Sequence, residues 1–305
     1  MDLLAELLTE VRSDGALLGQ VAFGPPWRIS VEARLPLTVI AVLRGEAWII
    51  PGESAPRLVK AGEVAVVSNR SSYWISDSLD SEIEPVLTAL PDGRILQDAD
   101  LWPADRELDS PGRTALLLGR YQVRGRISER LLSAVPELLV VSGAERIGPV
   151  LALTSSEAER AEPGYQPMVD RLLDVLLLVC LREWFAQAEP DQPGWISAVG
   201  DPVIGPAMRL LHSDPARPWT VAGLAAVAAV SRATFARRFT ELVGEPPMTY
   251  LMNWRLALAE DLLTRGDATV ESIARQVGYG TAYSLSAAFQ RERGLRPSSL
   301  RLRGS

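Results

Sequence analysis

The stretch Ser231–Leu242, SRATFARRFTEL, sorts its residues by chemistry when wound at helical spacing. Phe235, Phe239, Leu242 and Val243 share one face, and Arg237 points almost directly away from Phe235 with Ala233, Ala236 and Thr240 beside it. A helix buried through its phenylalanines therefore presents Arg237 outward. A guanidinium in that position can fork onto guanine O6 and N7 in a major groove. Arg232 and Arg238 flank the face and suit phosphate oxygens, with Thr234 able to assist. For either flanking arginine the alternative is a plain solvated side chain. Ser231 precedes the helix as an N-cap.

An outward arginine is useful only if the helix is held. Thr220 is a second N-cap, and Val221, Leu224, Ala225 and Ala228 follow it as one buried helical stripe. Two short helices with a sharp turn between them, over 220–243, make a helix-turn-helix. The unit recurs. A shift of 49 residues carries Thr220, Val221, Leu224, Ala225 and Ala228 onto Thr269, Val270, Ile273, Ala274 and Val277. A shift of 50 carries Ser231, Phe239, Gly244 and Pro247 onto Thr281, Phe289, Gly294 and Pro297, so one residue is added in the turn at Val277–Gly280. The second unit, 269–293, turns Thr281, Tyr283, Ser286, Ala287, Gln290 and Arg291 outward. Between the units, 248–263 is a strong helix former, a rod of ~24 Å.

These residues carry a resemblance. Trp219–Leu263 and Val270–Pro297 are similar to the DNA-binding domain of the AraC/XylS family of transcription regulators, through WTV, RRF, the Gly-Glu-Pro-Pro turn and WRL in the first part and VGY and the Gly-x-x-Pro end in the second. The resemblance implies double-stranded promoter or operator DNA as partner and RNA polymerase as a further partner; two units on one rigid rod should place two recognition helices about one DNA turn, ~34 Å, apart. It also implies an arginine where this chain has Ala287, so looser base reading is expected of the second unit. Thr281, Gln290 and Arg291 would then mainly hold backbone.

Charge supports the division. From Asp201 onward there are 13 Arg and no Lys against 9 acidic residues, a net +4; the rest holds 18 basic against 29 acidic, −11, within a total of −7. A basic third on an acidic chain fits a module that meets phosphate. The length of 305 residues and 47 % hydrophobic content favour two domains with real cores. Cys180 is the only cysteine, which excludes an internal disulfide and fits a reducing cytoplasm. The first residues lack a basic segment followed by a long apolar core, and the longest apolar run, Val175–Leu181, is too short for a bilayer. No membrane partner is expected.

The front half reads as β. Val39–Leu43, Ala47–Pro51, Arg57–Lys60 and Glu63–Ser68 are short strands separated by the turns Arg44–Gly45 and Ala61–Gly62, a spacing that predicts a small barrel or jelly roll. VLRGEAWI at Val42–Ile49 and AGEVAVVSNRSSYWISD at Ala61–Asp77 resemble the cupin-like sensor domain of one AraC branch. The expected fold class is thus two-domain α+β: an N-terminal cupin-like β-barrel with helices, residues 1–188, a linker at 189–200, and a C-terminal all-α tandem helix-turn-helix domain, 201–303. The departures matter. Counted from Gly62, the cupin metal-binding histidine position holds Tyr73, and no histidine precedes Gly45. No metal, no cofactor and no enzyme activity are expected; a cupin-type enzyme is the rival reading. The only histidine, His212, ends the helix Met208–Leu211 and reads as an imidazole near carbonyl ends.

A small-molecule effector is expected for the front domain, with Trp27, Trp48, Tyr73 and Trp74 as candidate pocket residues; the alternative is that these aromatics are core. A domain that only dimerises is also compatible. Pro167–Ala188 is apolar around most of its circumference and is expected to pack on the barrel and, in a homodimer, on a second subunit, or else wholly within one core. Cys180 reads as a small core residue. Gly119–Val123 reads as a strand, 98–111 as an acidic loop, and Leu131–Val141 mixes helix and strand signals. No function attaches to 83–144.

Overall fold

The computed structural model describes residues 11–32, 36–68, 72–90, 95–97, 112–123, 125, 126, 128, 129, 135–143, 145–160, 162–186, 198, 200–266 and 268–301. The chain divides into two compact units. One is Val11–Val123 with Val135–Gln187, and the other is Ala188–Ser305 with Arg124–Ala134. The linker expected at 189–200 and the loop at 98–111 lie outside the described residues, apart from Ala198 and Gly200.

Among the described residues of the first unit the strands run β1 (Val11–Phe23), β2 (Arg28–Val31), β3 (Leu37–Arg44), β4 (Glu46–Ile50), β5 (Arg57–Lys60), β6 (Val64–Val67), β7 (Tyr73–Ser76), β8 (Leu87–Ala89), β9 (Ile95–Gln97), β10 (Thr114–Val123) and β11 (Leu138–Val141). They form two sheets, β1-β10-β3-β6-β11 and β5-β4-β7-β2-β8-β9. A closed barrel is not found: among the described residues no pairing joins the two sheets. Gly45 is the reason the strands part company. β3 and β4 are consecutive yet belong to different sheets, and the corner between them has φ +73°. A Cβ there would stand 2.8 Å from Thr114 Oγ1, so only glycine fits both the backbone and the space.

The core lies between the sheets. Ile40, Val42, Ala65, Val67, Leu116 and Leu118 come from one sheet, and Ile29, Val31, Ala47, Ile49, Tyr73 and Ile75 from the other. Their alternates on the first sheet, Val39, Ala41, Val66, Leu117 and Tyr121, are buried too. That face is covered by α1 (Ile147–Arg160) and α2 (Tyr165–Ala186), which pack on β1, β3, β6 and β11. At Gly119 an added Cβ would meet Leu173 of α2 at 2.9 Å, and the Tyr121 hydroxyl donates to the Leu173 carbonyl at 2.5 Å. Double-sided burial explains why β3 is a continuous apolar run rather than an alternating one. Cys180 is fully buried in α2, and burial pushes its thiol up to about 12, so it acts as a small apolar residue.

In the second unit, the regular elements described from 201 on are helices: α3 (Ile204–Ser213), α4 (Val221–Val227), α5 (Arg232–Val243), α6 (Pro247–Arg265), α7 (Val270–Gln276), α8 (Ala282–Arg293) and α9 (Pro297–Arg301). Each of the paired helices starts on a hydroxyl. Thr220 Oγ1 accepts from the Gly223 amide at 3.0 Å, Ser231 Oγ from Thr234 at 3.1 Å, Thr269 Oγ1 from Ser272 at 3.1 Å and Thr281 Oγ1 from Ser284 at 3.1 Å. The turns correspond as well. Ala229 and Gly278, 49 apart, both take positive φ, +53° and +88°. The next amide donates back in the same way, Val230 to Ala225 at 3.1 Å and Tyr279 to Ala274 at 2.7 Å. The extra residue of the second turn is therefore Gly280, after that hydrogen bond and before the Thr281 cap.

The 19 residues of α6 span about 28 Å. At one end Tyr250 packs edge-on against Phe239, which lies beside Phe235, and at the other Leu256, Ala259 and Leu263 pack on Ile273, Leu285 and Phe289. His212 stands in the last turn of α3, as expected. It is buried, shares a 2.6 Å hydrogen bond with the Tyr250 hydroxyl and lies 4.2 Å from the Trp254 ring. Among the described residues no helix is long and apolar enough to cross a membrane.

Candidate nucleic-acid interface

On α5 the structure buries Phe235 and Phe239 and leaves Arg232, Ala233, Thr234 and Arg237 exposed, with Ala236 half-buried. Arg237 is held on the surface by Glu241, one turn on, at 2.9 and 3.2 Å from Nη1. An exposed i, i+4 pair of this kind is worth only ~0.3–0.5 kcal/mol, so it positions the guanidinium without locking it. Arg232 makes no ion pair with the described residues. Ser231 is spent on the cap, and its hydroxyl also sits 2.8 Å from that of Thr234.

Arg238 differs from the expectation that it flanks the outward face as a phosphate donor. Its Nε and Nη2 bind the Asp201 carboxylate, the shortest contact being 2.6 Å. The same carboxylate accepts from the Val203 and Ile204 amides at the start of α3. Although burial opposes it, the Arg238 guanidinium and these amides together hold Asp201 below its ordinary range. Arg238 thus clamps α5 to α3.

On α8 the exposed residues are Thr281, Tyr283, Ala287, Gln290 and Arg291, and Ser286 is half-buried. Tyr283 is 83 % exposed, the most exposed large apolar side chain described. Thr281 and Ser284 close a reciprocal capping box. Arg291 donates from Nε to Glu292 at 2.6 Å, and its Nη2 approaches Met252 Sδ. Both helices therefore leave most of these residues accessible, Arg238 being turned to Asp201, and α5 alone carries an arginine at the centre of its exposed side.

Two supports were invisible from spacing. Arg255 on α6 donates from Nε to the Pro215 carbonyl at 2.7 Å and from Nη2 to that of Arg217 at 2.9 Å, fastening the loop before α4. Glu271 on α7 accepts from the Ala282 amide at 2.8 Å, adding a carboxylate to the start of α8. That amide bond, with Arg275, lowers the Glu271 carboxyl from its usual value. The first unit has Ala222 at the corresponding place, so this brace belongs to the second unit alone.

The four candidate pocket aromatics are not brought together. Trp27 and Tyr73 are buried in the inter-sheet core, Trp27 stacked on Phe23 at 5.3 Å. Trp48 and Trp74 alternate with core residues and lie on the opposite face of their sheet, where the Arg28 guanidinium covers Trp74 at 3.8 Å. Neither the Trp27 Nε1 nor the Tyr73 hydroxyl has a hydrogen-bond partner among the described residues; Thr38 Oγ1 is a polar neighbour of the latter that falls short of that geometry. Burial drives the Tyr73 phenol well above its normal range, so it is a neutral donor. A cupin metal centre does not fit here. The histidine position is a phenol among aliphatic side chains, and the described residues contain no cluster of three metal-ligating groups.

A cupin family model matches residues 2–186 and a helix-turn-helix domain model matches residues 224–303. The chain is 31 % identical to an AraC-like transcription regulator of Streptomyces lividans, over 99 % of this chain and 98 % of that one. It is 25 % identical to the regulator AlkR of Acinetobacter baylyi over 96 % of both. Among solved structures, the DNA-binding domain of AdpA in complex with a target DNA is 32 % identical over 34 % of this chain and 92 % of that one, with a TM-score of 0.32. The chain belongs to the AraC family of transcription regulators, with a cupin N-terminal domain and a DNA-binding helix-turn-helix domain at its C-terminal end.

Proposed function

We propose that this regulator, acting in the cytoplasm without enzymatic activity, reads an asymmetric operator with two recognition helices, α5 and α8, of one C-terminal domain, 201–303, and that its N-terminal domain, 1–188, adjusts this reading to a small molecule. The observation that carries the first part is the pair of like-capped, like-turned helix pairs fastened to the two ends of α6. A rigid rod of about 28 Å suits recognition helices set one DNA turn, ~34 Å, apart on one face of the duplex. Arg237 and Arg232 serve α5; Tyr283, Gln290 and Arg291 serve α8.

The effector reading is supported by the Trp27 Nε1 and the Tyr73 hydroxyl, buried polar groups in an apolar interior. Such groups are costly unless something accepts from them. A ligand with an apolar body and a hydrogen-bond acceptor would meet both. A homodimer is supported by α2, where Met168 (42 % exposed) and Val175 (44 % exposed) fall in one stripe with the half-buried Leu172 and Val179. Their 4-3-4 spacing is that of a helix-packing seam. Output passes to RNA polymerase.

Hydroxyl-radical footprinting on an operator found by genome-wide mapping tests the reading. Two protected patches about one helical turn apart on one face are expected from a single chain. A single patch per chain would contradict it.

A further inference from the structure

Residues 124–134 lie between β10 and β11 of the sheets in sequence, yet they belong to the compact unit of the DNA-binding domain. The contact that places them there is specific. The Arg126 amide donates to Asp261 Oδ1 at 2.7 Å, and the Arg126 guanidinium binds Glu260 Oε1 at 2.9 Å. Gly125 comes in with φ +87°, and a Cβ on it would stand 2.8 Å from Asp261 Oδ2. The close approach and the left-handed backbone both demand glycine. Glu129 pairs with Arg126 at 2.9 Å from the next turn, and Ser128 is buried.

The acceptors sit on α6, the helix that carries both reading units. Glu260 and Asp261 are consecutive and buried, in a helix whose neighbouring positions Ala259 and Leu263 pack the second unit. Arg126, 134 residues away in sequence, is the ion-pair partner of Glu260. Arg126 is 53 % exposed and Glu260 only 9 %, so losing Arg126 leaves a nearly buried carboxylate without its cation, and the surrounding packing must shift to hydrate it. The strap is tied at both ends to sheet strands by its own backbone. A change in β10 or β11 therefore pulls on the partner of Glu260.

We propose that the segment carrying Gly125 and Arg126 is a coupling strap: when seated, Arg126 pairs with Glu260 and gives its amide to Asp261, holding the second reading unit firm, and a change in the sheets that withdraws the strap loosens that unit and weakens operator binding. The proposal rests on the reading that the N-terminal domain senses. Its test uses operator DNA as the only probe, so it stands or falls apart from any effector search.

Linkage makes the effect reciprocal. DNA bound to the C-terminal domain must favour the seated strap and so steady the strands it joins. Hydrogen exchange and operator affinity are measured on the full chain, with and without operator DNA, for wild type, Arg126→Glu and the swapped pair Arg126→Glu with Glu260→Arg. In wild type, DNA should slow exchange in Thr114–Val123 and Leu138–Val141. In Arg126→Glu that slowing should vanish and operator affinity should fall by roughly tenfold, and the swapped pair should regain most of both. Arg126→Gln, milder, gives the same reading if the reversal fails to fold. Slowing in those strands that persists undiminished in Arg126→Glu, or wild-type strands that ignore DNA, overturns the proposal. A swapped pair as weak as the single reversal overturns it too.

Discussion

Arg238 grips Asp201 with two nitrogens, Nη2 at 2.6 Å and Nε at 3.2 Å from the same oxygen, while the other carboxylate oxygen takes two amides of α3. One arginine of the recognition helix is thereby committed to holding that helix in place. Asp201→Ala removes clamp and amide acceptor together. It should cost about 1 kcal/mol, or roughly 4–8 °C in the melting of a domain of this size. The Asp201 value is lowered in the folded state, so its contribution is full above the ordinary carboxylate value of ~3.9 and is lost as pH falls below it. Melting curves of wild type and Asp201→Ala should converge below that pH. A gap that widens on acidification would refute the clamp.

If Arg237 reads DNA as proposed, Glu241 competes with DNA for its guanidinium. Glu241→Gln frees the guanidinium and removes a negative charge from the docking face, so affinity for duplex DNA should rise a few-fold at low salt. Anisotropy titrations at two salt concentrations check this; unchanged or weaker binding at low salt would speak against the outward role of Arg237.

Ala287 is exposed on α8 and has no hydrogen-bonding group. Ala287→Arg should add base discrimination of ~1–3 kcal/mol in the half-site beneath the second unit and leave the first unchanged. Selection from a randomised operator library would show it. Gains spread over both half-sites would mean α8 is not seated in a groove.

Tyr73→Phe deletes a buried hydroxyl that lacks a hydrogen-bond partner among the described residues. Without ligand the protein should melt at the same or a higher temperature, and the response to effector should weaken. A clear loss of stability in the unliganded protein would show that the hydroxyl serves the fold instead.

What was legible in the sequence was local. The caps at Thr220, Ser231, Thr269 and Thr281 and the 49-to-50 shift needed only neighbours a few residues apart, and the hydroxyl-to-amide bonds and matching turns follow them. The face of α5 was legible because Phe235 and Phe239 fix which side is inward. Arg238–Asp201 and Arg126–Glu260 span 37 and 134 residues, and spacing is silent about such pairs. The sheets were half-legible. Individual strands show as apolar runs, but β1, with its register breaks between Ser13 and Gly19, loses its alternation and was not expected, nor was α1. The aromatic pocket could have been corrected from sequence alone, since Tyr73 and Trp74 are adjacent on one strand and cannot both face the same interior.

In the proposed reading one chain contacts two half-sites unequally, with Arg237 as its principal base contact. The direct measurement is a binding series over every single-base variant of a mapped operator, for wild type and Arg237→Ala. Two clusters of sensitive positions about one helical turn apart are predicted, the cluster beneath α5 the more sensitive. Arg237→Ala should cost ~1–3 kcal/mol on the specific site, much less on random DNA, and should erase preference at one or two base pairs of that cluster only. Equal sensitivity in both clusters, or a loss for Arg237→Ala spread evenly over all sequences, would contradict it.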